Sequence, residues 1–277
     1  EQANKVLLCQ AHARTDLVVE ARTIETPANV RIKRLPCRVV KLEKLCHDVM
    51  ALWLKMPGFE PFEYLPGQYL DILLRNGERR SFSIASAPHD AGLLELHVRR
   101  VPGGTFTAHV FDQMKERALL RMEGPLGQFF LREKSTRPIL MIAGGTGFAP
   151  IKSILLHAFH QGLERPVHFY WGVRSVRDLY ERELVEGWVR DQPGLTFVPV
   201  LSEPLENDRW EGRTGLVHDA AVADHADLSG FDVYACGPPP MIEAVRADFA
   251  AHGADVEHLY FDSFDFATLR MEPGNDS

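Results

Sequence analysis

RPILMIAGGTGFAPIKS, residues 137 to 153, is the stretch on which the fold turns. An unbroken apolar run ends in paired glycines, and a helical pattern, IKSILLHAFHQ, follows at once. Strands buried on both faces of a parallel sheet read this way, without alternation. Further along come VHFYWGV, the helical DLYERELVEGWV, TFVPVLS, FDVYACG, the helical PPMIEAVRADFAAHG and EHLYFDSF. Strand alternating with helix at this spacing predicts a parallel sheet with crossover helices over residues 135–277. Upstream the texture changes. Six short alternating runs between Ile32 and Arg132 (PCRVVKLEKL, VMALWLKM, YLPGQYLDILL, RSFSIAS, LLELHVRRV and ALLRMEGPLG) are broken by Gly and Pro. They predict a small antiparallel β-barrel over 29–134, with one helical stretch, Thr105 to Lys115, after Gly103-Gly104. The fold class is α/β plus all-β.

The 277 residues exceed one typical core, so two domains and a fragment are expected. A net charge of −7 gives no reason to expect nucleic acid or an anionic membrane as partner. No apolar run approaches the ~20 residues that span a bilayer, and no secretory leader pattern opens the chain. Cys9, Cys37, Cys46 and Cys236 form neither a CxxC nor a zinc spacing. A cytoplasmic setting fits them. Residues 26–29, TPAN, read as a linker.

Two glycine-rich loops carry the chemistry. In GGTGFAPIKS, Gly144, Gly145, Thr146 and Gly147 lie between a strand and a helix, where glycine lets backbone approach a phosphate and the helix start offers unpaired N–H groups. Pro150 suits a first helical turn. Lys152-Ser153 does not complete a P-loop, because Ile151 and Thr146 occupy its glycine positions, and GxGxxG fails at Pro150. ACGPPPM, with Cys236, Gly237, Pro238, Pro239 and Met241, closes a later strand of the same sheet. Ligands bind beyond the carboxyl ends of such strands, so the two loops can hold one dinucleotide. Cys236 is either a packed thiol or a soft wall beside a nicotinamide. Arg174, Ser175 and Arg177 stand where an adenosine ribose would lie. The arginines suit a 2′-phosphate, whereas Asp178 suits a free 2′-hydroxyl. RRSFSIAS, residues 79 to 86, sets cations, an aromatic and hydroxyls together, as a flavin nucleotide requires. No metal spacing joins His157, His160, His218, His225, His252 and His258, and ERELVE reads as a solvated helix face.

RSFS, GGTF, GGTGFAP and CGPPPM, in that order and spacing, resemble the ferredoxin–NADP reductase superfamily, and the resemblance covers residues 32 to 266. It implies an FAD-binding barrel followed by an NAD(P)H-binding α/β domain. LLCQAHARTDLVVE resembles the last segment of a plant-type [2Fe-2S] ferredoxin, with Cys9 as its fourth cluster ligand. Residues 1–28 are therefore expected to be the remnant of such a domain, whose other three ligands are absent, so this chain is not expected to hold the cluster. The whole is similar to three-part reductases that serve oxygenases and deoxysugar enzymes, with the CDP-6-deoxy-Δ3,4-glucoseen reductase branch the nearest in phrasing. By the resemblance Arg80 binds the flavin diphosphate, Phe82 packs on the ring, and Ser83 bonds the ring edge, with Ser81 between them. His97, Val98, Arg99 and the helix start Gly103, Gly104, Thr105, Phe106 and Thr107 complete that site. Asp262 and Phe264 of FDSF match an acid and an aromatic that close over the flavin, although Asp is shorter than the usual Glu. Ser83 and Cys236 are the catalytic candidates. The implied activity runs from NADH, rather than NADPH, through FAD and a [2Fe-2S] centre to a partner enzyme, a deoxysugar dehydrase or an oxygenase. A free-standing flavin reductase and a non-catalytic flavin sensor are the alternatives.

Overall fold

The computed structural model describes residues 30–58, 61–90 and 92–264. The first unit is a six-stranded antiparallel sheet built from β1 (Lys33–Lys44), β2 (Val49–Lys55), β3 (Tyr69–Leu73), β4 (Arg79–Ser83), β5 (Leu93–Arg99) and β6 (Leu119–Leu126). Its order is β4-β3-β6-β1-β2-β5. Alternation in β1, where Leu35, Cys37 and Val39 are buried between exposed neighbours, sends one face into a core shared with Leu52, Leu70, Ile72, Leu96 and Met122. Helix α1 (Thr105–Asp112) is three residues shorter than the sequence pattern suggests. The chain leaves the helix at Gln113, and Arg117 follows with φ 72.

The sheet closes into a barrel at one point. A single bridge, Ile84 to Leu96, joins β4 to β5. Otherwise β4 pairs only with β3, and β5 only with β2. Beyond the bridge the two strands part, so Arg79–Ser83 and His97–Arg99 present facing backbone edges to an opening.

The second unit is a six-stranded parallel sheet of order β10-β9-β8-β7-β11-β12. Its strands are β7 (Ile139–Gly144), β8 (Val167–Val173), β9 (Leu195–Leu201), β10 (Arg213–Thr214), β11 (Asp232–Gly237) and β12 (Leu259–Ser263). Helices α2 (Phe148–His160) and α3 (Arg182–Asp191) cover one face, packing Phe148, Ile151, Ile154 and Val185 on Met141, Phe169 and Trp171. Helices α4 (Val217–Asp224) and α5 (Pro239–Ala251) cover the other, packing Val217, Ala221, Ile242 and Phe249 on Leu140, Ile142 and Val233. Both β7 and β11 are buried almost throughout, as their unbroken apolar sequences require. Strand β10 and helix α4 fall where the sequence pattern predicts no element. Chain order reverses between β7 and β11, which puts a crevice beyond their carboxyl ends. No helix among the described residues is long and apolar enough to cross a membrane. The expected remnant at 1–28, with Cys9, lies outside the described residues.

Candidate functional site

At the crevice the two glycine loops meet. Gly144 ends β7, Gly145–Gly147 form a short 3-10 turn, and α2 begins at Phe148. Gly147 is dictated by proximity, because a Cβ there would stand 2.0 Å from the carbonyl oxygen of Cys236 at the end of β11. Gly145 has φ +54, and its carbonyl accepts from Trp171 Nε1 at 2.9 Å, which fixes the turn. Helix α5 starts at Pro239 after Pro238. The N-caps of α2 and α5 make no side-chain hydrogen bond, but α5 opens with Pro239 and Pro240, which carry no N–H. Its Met241 and Ile242 N–H groups donate to the carbonyl of Pro238, and the Phe148 N–H of α2 donates back into the Gly145–Gly147 turn. A ligand at the crevice therefore meets the glycine turn and the dipole ends of the helices. The resulting cleft, about 470 Å³, brings Gly144, Gly145 and Thr146 together with Arg174, Asp178, Pro238, Met241 and Phe264.

Arg174 is exposed on the cleft wall. Asp178 is partly engaged: its Oδ2 accepts from the backbone N–H and the hydroxyl of Ser175, each at 2.9 Å. Its Oδ1 lies 3.6 Å from His47 Nε2. Arg99, expected beside Arg80, also joins this cleft. Its Nε donates to Asp48 Oδ2 at 2.8 Å and its guanidinium lies against Gly145.

On the barrel, alternation along β4 places Arg80 and Phe82 on one face and Ser81 and Ser83 on the other. Arg80 donates to Glu78 Oε2 at 2.7 Å and to the carbonyl of Arg79 at 2.8 Å, and neither anchor is buried. Phe82 meets Phe106 of α1 with ring centroids 5.6 Å apart. Gly103 takes φ 75 and Gly104 caps the helix without a side-chain bond, so among the described residues no side chain caps the first N–H groups of α1. The Thr107 hydroxyl is spent locally, donating to the carbonyl of Gly104 at 3.1 Å and accepting from the N–H of Val101 at 3.2 Å. Arg79 pairs with Glu123. Ser81 donates to Asp71 Oδ1 at 2.7 Å.

The side chains of His97 and Val98, both expected at the cofactor, turn away from the opening between β4 and β5. Val98 points into the barrel core. His97 is fully buried and points at the nucleotide domain, with both ring nitrogens engaged: Nδ1 with the Tyr180 hydroxyl and Nε2 with Glu95, each at 3.0 Å. The backbone of His97, like that of Glu95, faces the β4 side of the strand. That opening, with a guanidinium, an aromatic face, unpaired strand edges and a helix start around it, fits a flavin nucleotide.

Beside the crevice one carboxylate joins the two units. Ser83 Oγ, from β4, donates to Asp262 Oδ2 at 3.1 Å, and Cys236 Sγ, from β11, lies 3.6 Å from the same oxygen. Asp262 sits on β12, next to Cys236 in parallel register. Though shorter than glutamate, this aspartate reaches both partners. Burial pushes the Asp262 carboxyl above its usual range, against the hydrogen bonds from Ser83 and Cys236. Burial, and then the neighbouring Asp262, push the Cys236 thiol well up as well, so it is a thiol rather than a thiolate nucleophile. Phe264 follows directly, its N–H bonded to the carbonyl of Gly237 at 3.0 Å.

Of the histidines, His157 meets Glu133 at 2.9 Å and His160 stacks on His89 with centroids 3.8 Å apart. Among the described residues, His218 with Asp219 and Asp248 has metal-like spacing, as have Cys46–His47–Asp48 and Glu95–His97–Glu181. The last group is filled by the ammonium of Lys152. Sequence reasoning passed over that group, although two polar residues in the apolar run LLELHV were its signal.

Residues 36–131 match the family model of the oxidoreductase FAD-binding domain, and 141–247 that of the oxidoreductase NAD-binding domain. The chain is 39% identical over 259 residues to CDP-6-deoxy-L-threo-D-glycero-4-hexulose-3-dehydrase reductase of Yersinia pestis, covering 94% of this chain and 77% of that protein. It is 36% identical to the reductase component of the naphthalene 1,2-dioxygenase system of Pseudomonas putida, covering 94% and 77%. The crystal structure of the Amycolatopsis cytochrome P450 reductase GcoB superposes with a TM-score of 0.79 at 32% identity, over 85% of this chain and 71% of that one.

Proposed function

Because the chain belongs to the ferredoxin reductase family of FAD- and NAD-binding oxidoreductases, we propose residue roles and an acceptor for its reaction. It is a flavoprotein reductase that takes electrons from a nicotinamide nucleotide and passes them to a partner. Bound FAD supplies the chemistry, accepting a hydride and releasing its electrons singly. What remains for the protein is alignment and electrostatics. The crevice beyond β7 and β11 holds the dinucleotide, its diphosphate on the Gly144–Gly147 turn. The opening between β4 and β5 holds the flavin, with Arg80 and the start of α1 on its diphosphate, Phe82 against the ring, and Ser83 at the ring edge. Cys236 walls the nicotinamide, Asp262 orients both the Ser83 hydroxyl and the Cys236 thiol, and Phe264 covers the stack. The observation that carries this reading is the Ser83–Asp262–Cys236 junction, where the flavin-side strand and the dinucleotide-side strands share one buried acceptor.

The decisive experiment is a visible spectrum of the purified chain before and after anaerobic NADH. Flavin bands that bleach on mixing support the reading; a protein that takes up no flavin would overturn it. Flavin that both NADH and NADPH leave oxidised would return weight to a sensor. NADH is the preferred donor because the Asp178 carboxylate stands on the cleft wall and would repel a 2′-phosphate. Arg174 opposes that preference, so the ratio of kcat/KM for the two nucleotides decides it. For the acceptor we infer the dehydrase of a nucleotide-linked deoxysugar, supported by the 39% identity with the Yersinia pestis reductase. The oxygenase reading rests on the 36% relative. Presenting each acceptor to a form carrying the [2Fe-2S] domain distinguishes them.

An Arg80→Ala chain is expected to purify with a small fraction of the parent's flavin. Charge-assisted bonds to phosphate are about twice as strong as neutral ones, and Arg80 is held by exposed anchors that it can release. Flavin content per chain after gel filtration is the measurement, and unchanged content would remove Arg80 from the site.

A further inference from the structure

We propose that Lys152 is a positioning residue that sets the spacing between the flavin-side strand β5 and the dinucleotide loop. The proposal rests on the placement of the two cofactors given above. Alternation along β5 sends Leu94, Leu96 and Val98 into the barrel core, and Glu95, His97 and Arg99 outward onto the nucleotide domain. Lys152 comes from the other side. It lies on α2, whose first turn follows the Gly144–Gly147 loop, and its Nζ donates to Glu95 Oε1 at 3.0 Å and to Glu181 Oε1 at 2.8 Å. Ser153, fully buried, adds a 2.6 Å bond to the carbonyl of Ser86 on the barrel. His97 stands among Phe148 and Tyr180, closing the group on all sides.

Lys152 and Glu95 are buried and Glu181 partly so: their side chains are 8%, 9% and 15% exposed. Burial alone would push the Glu95 carboxyl up. Hydrogen bonds and charge from His97 and Lys152 outweigh it and hold the group at about 2. A three-way ionic contact out of water tolerates little displacement, because moving one partner leaves the others buried and unpaired. Surface pairs slide; this one cannot. The β5 face so pinned leads directly to Arg99, which lies against Gly145. A displacement of 1 Å at reacting atoms can cost about 10²-fold in rate, so a contact that fixes β5 against α2 also fixes hydride distance.

The test is Lys152→Met in the flavin-loaded chain, read in three ways. Flavin content per chain is expected to stay at the parent level. At saturating NADH the rate of flavin reduction is expected to fall at least about tenfold, with KM for NADH little changed, and the long-wavelength charge-transfer absorbance of the nucleotide–flavin stack to weaken. Calorimetry is expected to resolve two unfolding transitions where the parent shows one. A rate and charge-transfer band within about twofold of the parent would overturn the proposal, even with a lower melting temperature, since the group would then only stabilise. If Lys152→Met does not fold, the triple variant Glu95→Gln/Lys152→Met/Glu181→Gln leaves no unpaired charge. It is expected to fold with the same loss of rate, and parental rate would equally overturn the proposal. Failure of NADH to bleach the parent would instead count against the functional reading, and calorimetry, which needs no nucleotide, would still judge the interdomain contact.

Discussion

Gly147→Ala is expected to give a chain that still carries flavin but is reduced by NADH about 100-fold or more slowly. The Cβ would meet the Cys236 carbonyl oxygen at 2.0 Å and its carbon at 2.6 Å, backbone atoms of a strand buried on both faces. Neither side can give by rotating a side chain, so α2 and the end of β11 must separate. Overpacking of this kind costs about 1–3 kcal/mol, occasionally more, and the displacement falls on the two segments assigned to the dinucleotide. An ångström there is enough for a loss of this size. The barrel has its own core, so flavin should remain. Anaerobic reduction by NADH compared with reduction by dithionite is the measurement. Equal loss with both would mean that the whole chain, rather than the crevice, had failed.

Asp262→Asn is expected to slow reduction by NADH by about 10–10²-fold while raising the melting temperature at neutral pH. Hydrogen bonds to a charged acceptor are worth about 1.5–3 kcal/mol, which converts to that range of rates. The stability effect has the opposite sign. Burial raises the Asp262 carboxyl, so the folded chain holds that proton more tightly than the unfolded chain does. The associated stability is present below the unfolded carboxyl value of about 4 and is lost as pH rises through the folded value. Asparagine carries no such charge, so its advantage over the parent should grow from acid toward neutral pH. Melting curves of both chains across that window check it. A gap that shrinks with rising pH would show that the carboxylate is paired well enough to stabilise the fold.

Much of this architecture is legible in the sequence because its signals are local. The apolar run ILMIA ending in Gly144 can only be a strand buried on both sides, and CGPPPM marks the matching strand end. The alternating runs between Ile32 and Arg132 specify antiparallel strands in the same way. Helix α4 was not legible, since VHDAAVAD is short and its buried face is Val217, a histidine and two alanines. Site residues separate along the same line. Glycines at a strand–helix turn announce themselves, whereas the contacts of His97 with Tyr180 and of Lys152 with Glu95 span 83 and 57 residues. The polar residues of LLELHV mark a second face on β5, but nothing local says which element packs on it. Asp262 meets Ser83 across 179 residues, so its reach was decided by the docking of the two units.

The single bridge between β4 and β5 has a further consequence, for handling and assembly of the protein. Past Ile84 and Leu96 the barrel offers two strand edges that, among the described residues, no other strand pairs. Exposed edges of this kind recruit strands from other molecules. A cofactor lying in the opening therefore also blocks self-association, as edge lysines or covering loops do elsewhere. Chain stripped of flavin is expected to scatter light increasingly with concentration and to clear on reloading with FAD. Stripped chain that stays monodisperse would show the opening too narrow to accept a strand.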